Sequence, residues 1–279
     1  MARALAYGPV ASFDLIVATV GRTDELDGLL ASLERQTHRD FRVLVVDQNS
    51  DDRLAEVLAR HDEFERTQLR SQRGLSRARN AALPEVRADL VAFPDDDCVY
   101  PEDLLERVAA RFAADESLDG LTGREVDAAG TASPSWATDA ATLTRENLWN
   151  RAISFTIFLR RTTVERVGPF DEALGLPSGS GEEIDYLIRA LDTGARIEYD
   201  PSFVVVHPDK ARDLVAVGAR DGASLGYILR KHGYPLGTVT RMLVRPAGGS
   251  LLALLRNDRH RARFHLSTLR GRLVGYRTG

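Results

Sequence analysis

DLIVATVGRTDELDGLLASLERQTHRDFRVLVVDQNSDD, residues 14–52, holds two β-branched apolar runs with a helical pattern between them. Residues 14–20 read as a buried strand, and Asp24 to Arg35 as a helix with Leu26, Leu29, Leu30 and Leu33 on one face. Residues 41–47 are the next strand, ended by a polar DQNSDD that combines turn chemistry with a helix cap. A strand, a crossover helix and a second strand build a parallel pair, so the stretch predicts an α/β fold.

The pattern repeats downstream. A helix to about Arg60, a weaker strand near 65–70, a helix from Leu75 and a fourth strand, DLVAF (89–93), come next in order. Beyond them a helix is expected in 101–114, a strand in LDGLTGREV (118–126) and a polar segment over 131–150 carrying Trp136 and Trp149. Core packing is the expected role of both tryptophans, stacking on a bound ligand the alternative. A strand at SFTIFLRR (154–161), the loop LGLPSGSG (174–181), a helix at 182–193 and a strand pair in IEYDPSFVVVHP (197–208) complete the body. From residue 210 onward the pattern is helical and basic, which divides the chain into a 1–209 domain and a 210–279 extension.

At 279 residues, 43% hydrophobic and 28% charged, the chain has the composition of an ordinary globular protein. Its single cysteine, Cys98, excludes an intramolecular disulfide and a cysteine zinc cage and fits a reducing compartment. No run reaches the ~20 apolar residues that span a bilayer, and no signal-peptide core opens the sequence. A cytoplasmic location is therefore expected. The net charge of −4 conceals an asymmetry: from Lys210 there are 14 Lys and Arg against 3 Asp, and before it 23 basic against 38 acidic residues. Such a tail is expected to meet an anionic surface, here the inner face of a membrane, with LLALL (251–255) lying on it. Packing against the acidic body is the plainer alternative, and nucleic acid is not expected as a partner.

Ligands of open α/β sheets bind beyond the carboxyl ends of the strands, so the residues just past each strand are informative. After the first come Thr19 and Arg22, after the second Asp47 and Asn49, after the third Arg77, Arg79 and Asn80. After the fourth come Asp95, Asp96 and Asp97 in a row. Adjacent carboxylates repel unless water, hydrogen bonds or a cation offset the charge. Hard oxygen ligands suit Mg²⁺ or Mn²⁺, which bridge carboxylates to phosphates, and guanidinium groups pair bidentately with phosphate. Neither a G-x-G-x-x-G fingerprint nor a P-loop is present.

Four motifs in order, the stretch from Leu15 to Asp52, GLSRARNAAL, FPDDDCVYPEDLL and GEEIDYLIRAL, resemble family 2 glycosyltransferases of the GT-A fold. The likeness covers about residues 12–208. It implies a Rossmann-like, mostly parallel central sheet flanked by helices, a UDP-, GDP- or dTDP-sugar donor and a divalent cation, Mn²⁺ or Mg²⁺. A glycan, a lipid-linked molecule or a small molecule would be the acceptor, and polysaccharide biosynthesis the setting. It further implies that Thr19 and Asp47 lie at the nucleobase and that Arg77 or Arg79 lies near the base or diphosphate, with Arg22 also among the nucleotide-binding residues. Asp95 and Asp97 match the ends of a D-x-D motif, Asp95 towards the ribose with Asp96 beside it, and Asp97 on the metal. His207 matches a further metal ligand. The family's Glu-Asp pair before the late helix is Glu182-Glu183 here, so the general base falls to Glu183, with Asp185 two residues on as the alternative. The implied reaction is a single inverting displacement, with 174–181 as a flap or a plain linker.

DDDCV also fits the D-x-D-x-[TV] pattern of haloacid dehalogenase-like phosphatases, with Asp95 as nucleophile and Asp97 as acid/base. In that class the motif ends the first strand of its domain, whereas three strand–helix units precede it here. A sugar-1-phosphate nucleotidyltransferase would need a glycine-rich first loop where TVGRTDE stands. A non-catalytic nucleotide-sugar binder is the third alternative.

Overall fold

The computed structural model describes residues 11–175, 180–208 and 213–279. By its contacts the chain forms two compact units. One comprises residues up to Phe170 together with Tyr186–Asp209; the other comprises Asp171–Asp185 together with Lys210–Gly279. The segment 171–185, which holds the loop 174–181, is grouped with the tail.

The first unit is built on an eight-stranded sheet. Its first half alternates as the pattern requires: β1 (Phe13–Thr19), α1 (Asp24–Glu34), β2 (Phe41–Asp47), α2 (Ala55–Arg60), β3 (Glu65–Arg70), α3 (Leu75–Ala82) and β4 (Leu90–Ala92). Then come α4 (Leu104–Ala114), β5 (Gly120–Val126), the short β6 (Ala141–Thr142), β7 (Ile157–Arg160), α5 (Arg161–Val167), α6 (Glu182–Asp192) and β8 (Ile197–Val206). The first turn of α6 is counted with the second unit. The strand order is β3-β2-β1-β4-β7-β5-β8-β6. Pairing is parallel from β3 to β4 and between β5 and β8, and antiparallel where β7 and β6 join.

Alternation of side chains sorts the core onto two faces. Phe13, Leu15 and Val17 of β1 and Phe41, Val43 and Val45 of β2 share one apolar cluster with Leu26, Leu29, Leu30 and Leu33 of α1 and Leu104 and Val108 of α4. Ile16, Leu44 and Val46 are buried on the other face. Both faces of β2 are covered along its whole length, which explains its unbroken apolar run.

The strand pair expected in 197–208 is a single ten-residue strand, β8. Thr122 of β5 pairs with Tyr199, but Arg124 pairs with Val204, so one residue of β5 faces four of β8. Pro201 lies in that bulge, where its missing N–H costs no ladder bond. Gly123 is the residue opposite; a Cβ there would stand 2.0 Å from the Phe203 carbonyl oxygen. The bulge therefore turns what reads as two strands into one.

The second unit is helical: α7 (Leu214–Lys231), α8 (Leu236–Leu255) and α9 (Arg259–Thr278). Asp213 and Asp258 cap α7 and α9, their carboxylates accepting from Val215 and Ala216 N–H and from Arg261 N–H. Where α7 and α9 cross, a Cβ on Gly226 would stand 2.1 Å from the Arg272 carbonyl oxygen, so glycine lets the backbones touch. Among the described residues no helix is long and apolar enough to cross a membrane.

Candidate nucleotide and metal site

The loop after β4 carries the three aspartates, and the end of β8 is tied to it. Val99 N–H donates to the Val206 carbonyl at 2.8 Å and Val206 N–H to that of Val99 at 3.1 Å. The next residue along β8, His207, thereby reaches Asp97: Nε2 lies 3.1 Å from Oδ1. Asp95, Asp97 and His207 each present one ligand atom, all within 4.8 Å of one another. Two carboxylate oxygens and an imidazole nitrogen match the donor preferences of Mn²⁺ and, less fully, of the harder Mg²⁺. The Phe155 ring stacks on His207 at 5.0 Å and fixes its plane. Glu125 lies 3.5 Å from the other ring nitrogen, Nδ1. Burial alone would lower the His207 pKa, but the Asp97 and Glu125 carboxylates outweigh it and hold the ring up at about 9.

Asp95 also accepts from the Ser154 hydroxyl at 3.1 Å and pairs with Arg79 at 3.4 Å. Arg79 is 1% exposed, its guanidinium lying 5.6 Å from the Phe93 ring centre and 5.4 Å from that of Phe170. Arg77, two residues earlier, is on the exposed side of α3. It donates to the Gln72 amide and the Arg73 carbonyl. Asn80 closes the end of α3 on Phe170, donating to its carbonyl and accepting from its N–H.

Asp96 joins β1 to this loop. Arg22 Nη1 reaches Asp96 Oδ1 at 2.7 Å and Asp97 Oδ2 at 3.0 Å, and the Thr19 hydroxyl donates to the Arg22 carbonyl at 3.5 Å. Burial raises the Asp96 carboxyl above the usual carboxylate range in spite of the Arg22 guanidinium beside it. Thr19, Arg22, Asp96 and Asp97 thus form one continuous group. Asp47, at the end of β2, has no exposed surface. One of its oxygens accepts from Asn49 N and Nδ2, the other from Gln68 Nε2 at 2.8 Å, with Arg70 at 2.9 Å.

The acids of α6 are described within the second unit. Glu182 and Asp185 are buried and Glu183 is half-buried. Asp185 pairs with Lys231 at 2.7 Å and His232 at 2.8 Å, and Lys231 also holds Asp171 at 2.6 Å. Of the loop 174–181, residues 176–179 lie outside the described residues. Trp136 and Trp149 are half-buried, Trp149 donating its indole N–H to the Arg145 carbonyl.

Sequence reasoning missed Ser154, Phe155 and Glu125 around the Asp95–Asp97–His207 cluster, and Gln68 and Arg70 around Asp47. None sits in a motif; they are brought in by strand pairing.

Comparison with known proteins points to one family and one fold. The family model described as glycosyl transferase family 2 matches residues 14–169. The glycosyltransferase AglE of Haloferax volcanii is 26% identical over 206 residues, 70% of this chain and 66% of AglE. The pre-mycofactocin glycosyltransferase of Mycobacterium tuberculosis is 27% identical over 230 residues, 77% of this chain and 47% of that protein. The chain thus spans about half to two thirds of these relatives. Among solved structures, the mannosyltransferase PcManGT from Pyrobaculum calidifontis, in complex with GDP-Man and Mn²⁺, matches with a TM-score of 0.67 at 18% identity. That match covers 95% of this chain and 87% of PcManGT, and it shows that the two share the GT-A fold.

Proposed function

This chain belongs to glycosyl transferase family 2, and we propose that it moves a sugar from a nucleoside diphosphate-sugar to an acceptor hydroxyl in one inverting, divalent-cation-dependent displacement. The observation that supports this most is the convergence of Asp95, Asp97 and His207 beyond the carboxyl ends of parallel strands. Asp95, Asp97 and His207 would hold the cation. When bound, it neutralises charge on the departing diphosphate.

The remaining roles fall to this chain's own side chains. Thr19 and Asp47 bind on the nucleobase side, with Asp47 exchanging an internal partner such as Arg70 for the base. Arg79 holds Asp95 and offers positive charge to the diphosphate, while Arg22 keeps Asp96 and Asp97 in place. Glu183 takes the acceptor hydroxyl's proton as its oxygen attacks the anomeric carbon. The bond from that carbon to the phosphate oxygen breaks, and its electron pair leaves with the nucleoside diphosphate. UDP, GDP and dTDP are the candidate carriers, and glycan, lipid-linked and small-molecule acceptors all fit a base of this kind.

The haloacid dehalogenase-like reading of Asp95 and Asp97 is corrected by the family match, and the aspartates follow β4, not the first strand of the sheet. Thermal unfolding with UDP, GDP or dTDP, with and without Mn²⁺, tests the proposal. At least one nucleotide is expected to raise the melting temperature in the presence of Mn²⁺; no shift with any of the three overturns it. Slow hydrolysis of the matching nucleotide-sugar, abolished in Asp97→Ala, separates an enzyme from a mere binder.

A further inference from the structure

Among the described residues eleven large hydrophobic side chains are exposed, and nine of them lie on α8 and α9. On α8 the buried residues Val239, Pro246 and Ala253 recur every seven residues and mark one line of the helix. Leu236, Val244, Leu251 and Leu255 turn away from that line at about 100° per residue, and they are 77%, 58%, 61% and 77% exposed. Arg241 and Arg245 are exposed beside them. On α9, Arg263, Leu266, Arg270, Leu273 and Arg277 succeed one another at steps of three and four, so basic and aliphatic side chains share one exposed face.

The charge on these helices has one sign. From Leu236 to Gly279 there are nine arginines and a single acid, Asp258, whose carboxylate is occupied capping α9. Exposed leucines flanked by arginines are the composition of a helix lying in a lipid–water interface, with aliphatic side chains in the acyl boundary and guanidinium groups at the phosphates. A nucleic acid would be met by the arginines but would leave the leucines in water. A second copy meeting these same faces would oppose arginine to arginine.

We propose that the outward faces of α8 and α9 dock this protein on an anionic lipid surface, peripherally and without spanning it. Each arginine near such a surface adds to affinity, and each exposed leucine that enters the acyl boundary adds more.

Co-sedimentation of the full chain with vesicles tests this without any sugar donor, so its failure leaves the transferase reading standing. Vesicles of phosphatidylcholine containing about one third phosphatidylglycerol are expected to bind at least about tenfold more tightly than phosphatidylcholine alone, and binding should weaken steeply with salt. Replacing Leu251 and Leu255 by serine should lower affinity about tenfold or more, with helical content unchanged. Arg263→Gln with Arg270→Gln should do the same and flatten the salt dependence. Equal binding to both vesicle types, no binding to either, or variants that bind like the parent overturn the proposal. So does self-association of the free protein that the Leu251 and Leu255 changes abolish.

Discussion

His207 Nε2 lies 3.1 Å from Asp97 Oδ1, the two joined across 110 residues of sequence by the bridge between Val99 and Val206. The carboxylates around the ring hold it protonated well above its usual 6.5, up to about 9. A group whose pKa is raised on folding stabilises the fold fully below its unfolded value and loses that contribution as pH rises through its folded value. In EDTA, the urea midpoint is therefore expected to fall between about pH 6.5 and 9, and His207→Gln to flatten the fall. A metal needs the neutral ring, so binding must displace the proton. Mn²⁺ affinity is expected to climb with pH over the same interval, with proton release visible by calorimetry in buffers of different ionisation enthalpy. A pH-independent affinity would remove His207 from the ligand set.

Arg79 and Arg77 stand two residues apart on α3 and are expected to behave very differently. Arg79 is buried between two phenylalanine rings and reaches Asp95. Arg79→Ala leaves a cavity and removes the partner of a carboxylate, at a cost of about 2–4 kcal/mol. It should also weaken nucleoside diphosphate binding at least about tenfold, the value of one lost charge-assisted hydrogen bond. Arg77→Ala removes an exposed side chain and should leave stability within about 0.5 kcal/mol. Urea unfolding and nucleotide titration of both variants check the contrast; equal losses would mean that the exposed arginine also reaches the ligand.

The difference between these arginines also shows what the sequence revealed. That polar residues collect after β1, β2, β3 and β4 is written locally, because an apolar run ending in Thr19, Asp47 or Asp95 is a contiguous signal. Which arginine of SRARN turns inward is not, since it depends on Phe93 and Phe170 arriving from β4 and from far along the chain. His207 was legible as a strand-end histidine. Its partner Glu125 was not, because only the pairing of β5 with β8 brings them together. The same pairing hides the single strand β8: Asp200-Pro201-Ser202 has the chemistry of a turn, and Gly123 on the neighbouring strand absorbs it as a bulge.

That bulge gives a stability prediction remote from any ligand. A Cβ at position 123 would meet backbone, the Phe203 carbonyl oxygen at 2.0 Å, and backbone cannot swing aside as a flexible side chain would. Gly123→Ala is expected to cost about 1–3 kcal/mol or more by overpacking, whereas Gly130→Ala, with nothing within 4 Å of its Cβ, faces only its φ of +78° and should cost less. Thermal unfolding of the pair, side by side, checks the ranking, and equal losses would overturn it.

The two acids offered as the general base separate in the same way. Asp185 has no exposed surface and is held by Lys231 and His232 at 2.7 and 2.8 Å, an arrangement that fixes the first turn of α6. Removing one partner of a buried ionic group leaves the others uncompensated, so Asp185→Ala should cost about 3 kcal/mol or more. Glu183 is half-buried, and Glu183→Gln keeps its shape and a hydrogen-bonding end. Its stability should change by less than about 1 kcal/mol, while transfer falls by at least about a hundredfold, the usual worth of a general base. Nucleotide binding should survive, since a base acts on the acceptor. If instead Glu183→Gln transfers normally while a stable Asp185→Asn does not, the base is Asp185, and the grip of Lys231 and His232 is what holds it for the acceptor.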